Sequence, residues 1–194
     1  MTVLYSNFND QDTILLKGIW EGLDAKVIEI TLPSQSSQNN YIFEDLFLSV
    51  GQEEIDKAIE MEEDTLIICG HGSPEGCFSP HFDYTLSSSN KDKIKAKRVI
   101  GIWCHASSFA KENKVPGFFT SMFISNIDEA ECMGIYSTDD EKIRESEKKF
   151  VTILNSLLKK DVPLKDWPLI FKSAVDKNNE VENYNFSSVE YIDG

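Results

Sequence analysis

Two stretches decide how this chain reads: Thr65-Leu66-Ile67-Ile68-Cys69-Gly70-His71-Gly72-Ser73, and Val99-Ile100-Gly101-Ile102-Trp103-Cys104-His105-Ala106-Ser107. Each is a short apolar run, rich in β-branched residues, that stops at turn-forming residues. Runs of that length and composition predict buried strands. An open parallel sheet places its chemistry in the crevice at the carboxyl ends of its strands. If the two strands are parallel neighbours, His71 and Cys104 stand side by side at that edge. A thiol beside an imidazole is a nucleophile with its base.

Working outward, Thr2–Ser6 predicts a first strand, and Asp10 or Asp12 can cap the helix that follows. Ile14, Leu15, Gly18, Ile19 and Leu23 lie at helical spacing, and Lys26–Leu32 predicts a second strand closed by Pro33. This β-α-β opening belongs to a parallel sheet. Ser34–Asn40 reads as a polar loop. Tyr41–Glu63 reads as one or two helices with a break at Gly51, its glutamates forming a solvated face. Pro74–Asn90 reads as a long loop bordering a cleft, since loops of that length tend to be functional.

Past Cys104, Phe109–Gly117 reads as a polar loop. The spacing of Phe118, Phe119, Met122, Phe123 and Ile127 predicts a helix, and Cys132–Tyr136 a strand. A long amphipathic helix over Asp140–Lys160, a shorter one over Pro163–Asp176 and a last strand at Val189–Ile192 complete the chain. The expected fold is α/β, one domain over residues 1–194, with a mostly parallel sheet between helices on both faces. Leu66, Ile68, Val99, Ile100, Ile102, Phe119, Phe123, Ile135, Phe150, Leu154 and Phe171 are expected in its core.

The net charge of -14 argues against nucleic acid and anionic membranes as partners. No apolar stretch approaches the roughly 20 residues a spanning helix needs. Met1–Tyr5 lacks the basic segment and apolar core of a signal peptide, so a cytoplasmic protein is expected. Four cysteines, Cys69, Cys77, Cys104 and Cys132, are too few for a dense disulfide framework and are expected as thiols.

In the chemistry this predicts, Cys104 attacks and His71 serves as general base. The backbone amides of Gly72 and Cys104 are candidate oxyanion donors. Ser73 and Trp103 complete the candidate substrate contacts. No third residue that would orient His71 stands out. His105 adjoins Cys104, but neighbouring residues on a strand point to opposite faces, which makes His71 the better base. Other readings compete. A single His or Cys at a strand end is commonly structural. Cys69, His71, Cys77, His81, Cys104 and His105 are possible zinc ligands, but they lack the paired Cys-x2-Cys spacing of structural zinc sites. No phosphate-binding glycine motif is present, so neither a metal nor a cofactor is expected.

An apolar strand then His-Gly, followed by a second apolar strand then Cys, resembles the caspase-like cysteine peptidases, which include caspases, metacaspases and the bacterial CHAT domains. Gly70-His71-Gly72 is similar to the metacaspase Ser-Gly-His-Gly segment, and Cys104-His105-Ala106-Ser107 to its Cys-His-Ser-Gly segment. The order of elements expected after Cys104 is closer to CHAT. The resemblance implies a caspase-like three-layer fold and a cysteine endopeptidase acting on a polypeptide without a cofactor. It implies His71 and Cys104 as the dyad and Gly72 as an oxyanion donor. Two departures stand out. Metacaspases carry Asp two residues before the nucleophile, where it helps bind a basic P1 side chain, and here that residue is Ile102. The residue before Cys is small in many relatives, and here it is Trp103, an indole able to fill part of the specificity pocket or shield the thiol. A degenerate domain that binds a partner without cleaving it is the alternative.

Overall fold

The computed structural model describes residues 1–32, 51–81 and 84–194. The expectations for Pro33, for Ser34–Asn40 and for the helix over 41–50 lie outside the described residues. The chain is α/β, with a six-stranded sheet between two layers of helices. Its strands are β1 (Thr2–Asn7), β2 (Lys26–Thr31), β3 (Thr65–Cys69), β7 (Arg98–Ile102), β8 (Gly117–Thr120) and β9 (Val189–Ile192), in the order β2-β1-β3-β7-β8-β9. All neighbours are parallel except β9, which pairs antiparallel with β8.

The inner strands β1, β3, β7 and β8 are buried on both faces, and their side chains alternate between two cores, as the two-residue strand period requires. Val3, Tyr5, Ile67, Cys69, Ile100, Ile102 and Phe118 face one core. There they meet Phe150 and Leu154 of α5 (Asp140–Lys159) and Trp167 and Phe171 of α6 (Trp167–Ser173). Leu4, Leu66, Ile68, Val99 and Phe119 face the other, with Ile55 and Ile59 of α2 (Gln52–Met61) and Phe109 of α3 (Ala106–Asn113). Of the expected core residues all are buried except Phe123, which is half-buried.

Several expectations are corrected. Pro74–Asn90 is not an irregular loop. With Gly72 and Ser73 it builds a small antiparallel sheet of β4 (Gly72–Ser73), β5 (Gly76–Phe78) and β6 (Tyr84–Ser87). The polar stretch from Phe109 belongs to α3, which needs only Ala106, Phe109 and Ala110 to fill a narrow buried stripe. Lys114, with φ 55, closes it ahead of Pro116. The helix read from Phe118 is strand β8, because Phe118 and Phe119 are buried on opposite faces of the sheet. Cys132–Tyr136 is no strand. Asn126 caps α4 (Ile127–Cys132) by accepting from the Glu129 N–H, and a turn follows. A further helix, α7 (Glu180–Ser187), was not foreseen. The order of elements after Cys104 therefore differs from the one on which the likeness to CHAT leaned. Among the described residues no helix is long and apolar enough to cross a membrane.

Candidate active site

Strand register sets the level of the two predicted residues. Cys69 of β3 pairs with Ile102 of β7. His71 and Cys104 each lie two residues beyond that pair, past the carboxyl ends of adjacent parallel strands. Cys69 and Ile102 both face the α5 core, and His71 and Cys104 turn to that side as well, beside Ile102 and Phe150. Both line one pocket of about 60 Å³, together with Leu15, Ile102, Phe123 and Phe150.

Two features hold the His71 segment. The Gly70 N–H donates to the Ile102 carbonyl at 3.1 Å, extending the β3–β7 pairing. Gly70 itself has φ +150, and a Cβ there would lie 2.7 Å from Ser6 Cβ. That conformation and that closeness to β1 leave room for glycine alone.

His71 has the orienting partner that the sequence did not disclose. Its Nε2 lies 2.7 Å from Asp10 Oδ2. Asp10 is the N-cap of α1 (Gln11–Leu15), and its Oδ1 accepts the Thr13 N–H at 2.7 Å. Burial pushes the Asp10 carboxyl up, but the Thr13 and His71 hydrogen bonds outweigh it and hold the group below the usual carboxylate range. With Nε2 committed to Asp10, any further hydrogen bond of this ring falls to Nδ1. Asp10 was legible as a helix cap. Its position in the loop leaving β1, the strand next to β3, was the signal for its second role.

Cys104 sits in a turn clamped to the end of β8. The Trp103 N–H donates to Thr120 Oγ1 at 3.1 Å, the same hydroxyl donates to the Trp103 carbonyl at 2.7 Å, and the His105 N–H donates to the Ser121 carbonyl at 3.0 Å. His105 takes up the left-handed conformation, φ 67, to start α3. Thr120 was not anticipated. Between these anchors the Cys104 N–H donates to no group among the described residues. The Gly72 N–H is similarly placed. Because the Phe78 N–H donates to the His71 carbonyl at 2.9 Å, Gly72 and Cys77 face each other as a non-hydrogen-bonded pair, and the Gly72 amide points away from β5.

The thiol lies 3.7 Å from the Phe123 carbonyl, and no hydrogen bond joins it to His71. Burial pushes the Cys104 thiol up, against the Phe123 hydrogen bond, and the carboxylates of Glu129 and Asp12 add to the rise. Beside the pocket, Arg144 bridges Asp12 at 2.9 Å and Glu147 at 2.7 Å. Burial pushes Glu147 up to about 7, against the pull of Arg144.

The other predicted contacts fall elsewhere. Trp103 borders the pocket, but its indole is buried in the α3 core, with Nε1 donating to the Ser73 carbonyl at 3.2 Å. A Cβ on Gly72 would lie 2.2 Å from Trp103 Cδ1, so this glycine makes room for the indole. The Ser73 hydroxyl is taken by Glu75, and neither Ser73 nor His105 lines the pocket. Cys69 and Cys77 are fully buried in the two cores, and Cys132 is exposed. Among the described residues no three His, Cys, Asp or Glu side chains converge as a metal site. Comparison with protein-family models, curated proteins and solved structures finds no match to this chain.

Proposed function

We propose that this protein is a cysteine endopeptidase of caspase-like type, acting on a polypeptide through Cys104 and His71, with Asp10 orienting the imidazole. One observation carries the reading: Asp10, His71 and Cys104 follow three adjacent parallel strands, β1, β3 and β7, and the last two line one pocket. Four free thiols accord with a cytoplasmic setting.

In the mechanism, the Cys104 thiol gives its proton to His71 Nδ1. The thiolate forms a C–S bond with the scissile carbonyl, and the Gly72 and Cys104 amides hold the oxyanion. Collapse breaks the C–N bond, and His71 returns the proton to the leaving amine. Water then hydrolyses the thioester with His71 as base. Asp10 stabilises the imidazolium formed between these steps.

A second reading, a non-cleaving binding module, draws on the Cys104 thiol lying against the Phe123 carbonyl with no bond to His71. Labelling purified protein with thiol-reactive peptide ketones separates the two. The peptidase reading expects a single adduct on Cys104, lost in Cys104→Ala and slowed by orders of magnitude in His71→Ala. Equal labelling of wild type and His71→Ala sinks it.

A further inference from the structure

We infer that the pocket below Cys104 receives the substrate side chain that precedes the scissile bond, and that it selects an uncharged aliphatic one of valine or leucine size. The inference rests on the peptidase reading and names the substrate class of that same site.

The walls are Leu15, Leu16, Ile102, Phe123, Phe150 and Val151, drawn from the first helical segment, β7, the segment after β8, and α5. A volume of about 60 Å³ corresponds to roughly four to six water positions at 10–15 Å³ each, close to the four carbons of a leucine side chain.

The polar groups in the lining are already engaged. Thr120 Oγ1 is held by the Trp103 backbone. Ser125 Oγ bonds Asp12 and Glu129, each at 3.0 Å. Glu147 is bound by Arg144. An acidic side chain entering here meets the Glu147 carboxyl in the lining, and the one guanidinium beside it, Arg144, is already bound by Glu147 and Asp12. A basic one finds Glu147, the carboxyl in the lining, already paired with Arg144, and must displace that guanidinium to gain a counter-ion. The Ile102 side chain offers only carbon to the lining. Both signs of charge are therefore disfavoured, and an aliphatic group replaces water against apolar walls.

The test varies the residue before the scissile bond in a peptide library and reads cleavage by mass spectrometry. In parallel it measures alkylation of Cys104 by chloromethyl ketones bearing leucine, lysine or aspartate. Leucine or valine should exceed alanine by about 10-fold, the scale of methylene discrimination in apolar pockets. Lysine and aspartate should trail leucine further still. Phe123→Ala should move the optimum from leucine toward phenylalanine. If that variant fails to fold, the wild-type profile decides alone. Preference for a basic or acidic residue overturns this inference while leaving the peptidase reading intact. Neither cleavage nor Cys104 labelling with any reagent overturns the peptidase reading, and the pocket assignment falls with it.

Discussion

Residues 102–104 look alternately into two cores that are built differently. Ile102 and Cys104 face α5, where apolar side chains are laced with buried or half-buried charge: Glu147, Arg144, Asp12 and, further along, Glu182 paired with Lys149. Trp103 faces α3, where it meets Phe109 and Phe119 in an apolar core, ring centroids 5.7 and 6.4 Å away. One side of the strand end holds the candidate chemistry and the other anchors it. A strand can serve both because its side chains alternate, and a one-residue slip would exchange the two roles.

The largest expected effect belongs to the α5 side. Cys104→Ala should remove turnover, by about 10⁴-fold or more, as loss of a nucleophile does. Its urea midpoint should stay near wild type, because a half-buried thiol gives up few contacts. Asp10→Asn comes next. Asparagine keeps the helix cap but not the charge on His71, so kcat should fall by about 10²- to 10⁴-fold with little change in stability. Asp10→Ala should add a stability loss of about 1 kcal/mol from the missing cap. An Asp10→Asn enzyme as active as wild type would separate Asp10 from the chemistry.

Substitutions on the α3 side should act on folding. Trp103→Ala should cost about 3–5 kcal/mol in denaturant unfolding. Gly72→Ala should cost about 1–3 kcal/mol, since its methyl would overlap the indole. Unchanged unfolding midpoints for these variants would dissolve the contrast between the two sides.

The smallest effect is a pH dependence. The folded state holds the Glu147 proton up to about 7, well above the ordinary value of 4.5. Folding then binds an extra proton between those values, so the stability from this group is fully present below about 4.5 and is lost as pH rises through about 7. Glu147→Gln should flatten that decline, by an amount on the order of 2 kcal/mol or less at roughly 1.4 kcal/mol per unit. The check is the urea midpoint of both proteins at pH 5 and pH 8.

The fold was legible where burial left a one-dimensional trace. Val99–Ile102 and Leu66–Cys69 are apolar runs because both faces of a central strand are covered, and α5 shows its stripe from Ile143 to Leu157. The same two-sided burial misled at Phe118 and Phe119, where adjacent phenylalanines serve opposite cores and mimic a helix turn. The shared position of His71 and Cys104 at one sheet edge was legible because each follows the end of an apolar strand. Asp10 was legible only as a cap, since its partnership with His71 spans 61 residues and exists only in the folded chain. The pocket left no local mark, because Leu15, Ile102, Phe123 and Phe150 come from four separate segments.

The strand order carries a consequence in time. After β1 and β2, each strand of the main sheet joins the same growing edge in the order the ribosome releases it: β3, β7, β8, β9. The candidate nucleophile is thus made before Phe123 and α5 exist to wall its pocket, so a nascent chain holds the thiol without the recess. Meanwhile the outer rim of β8, carrying Phe118 and Phe119, waits through the synthesis of four helices for Val189–Ile192. An unpaired strand rim is a template for pairing with other chains. The late antiparallel strand is therefore the step that ends the exposure of the β8 rim.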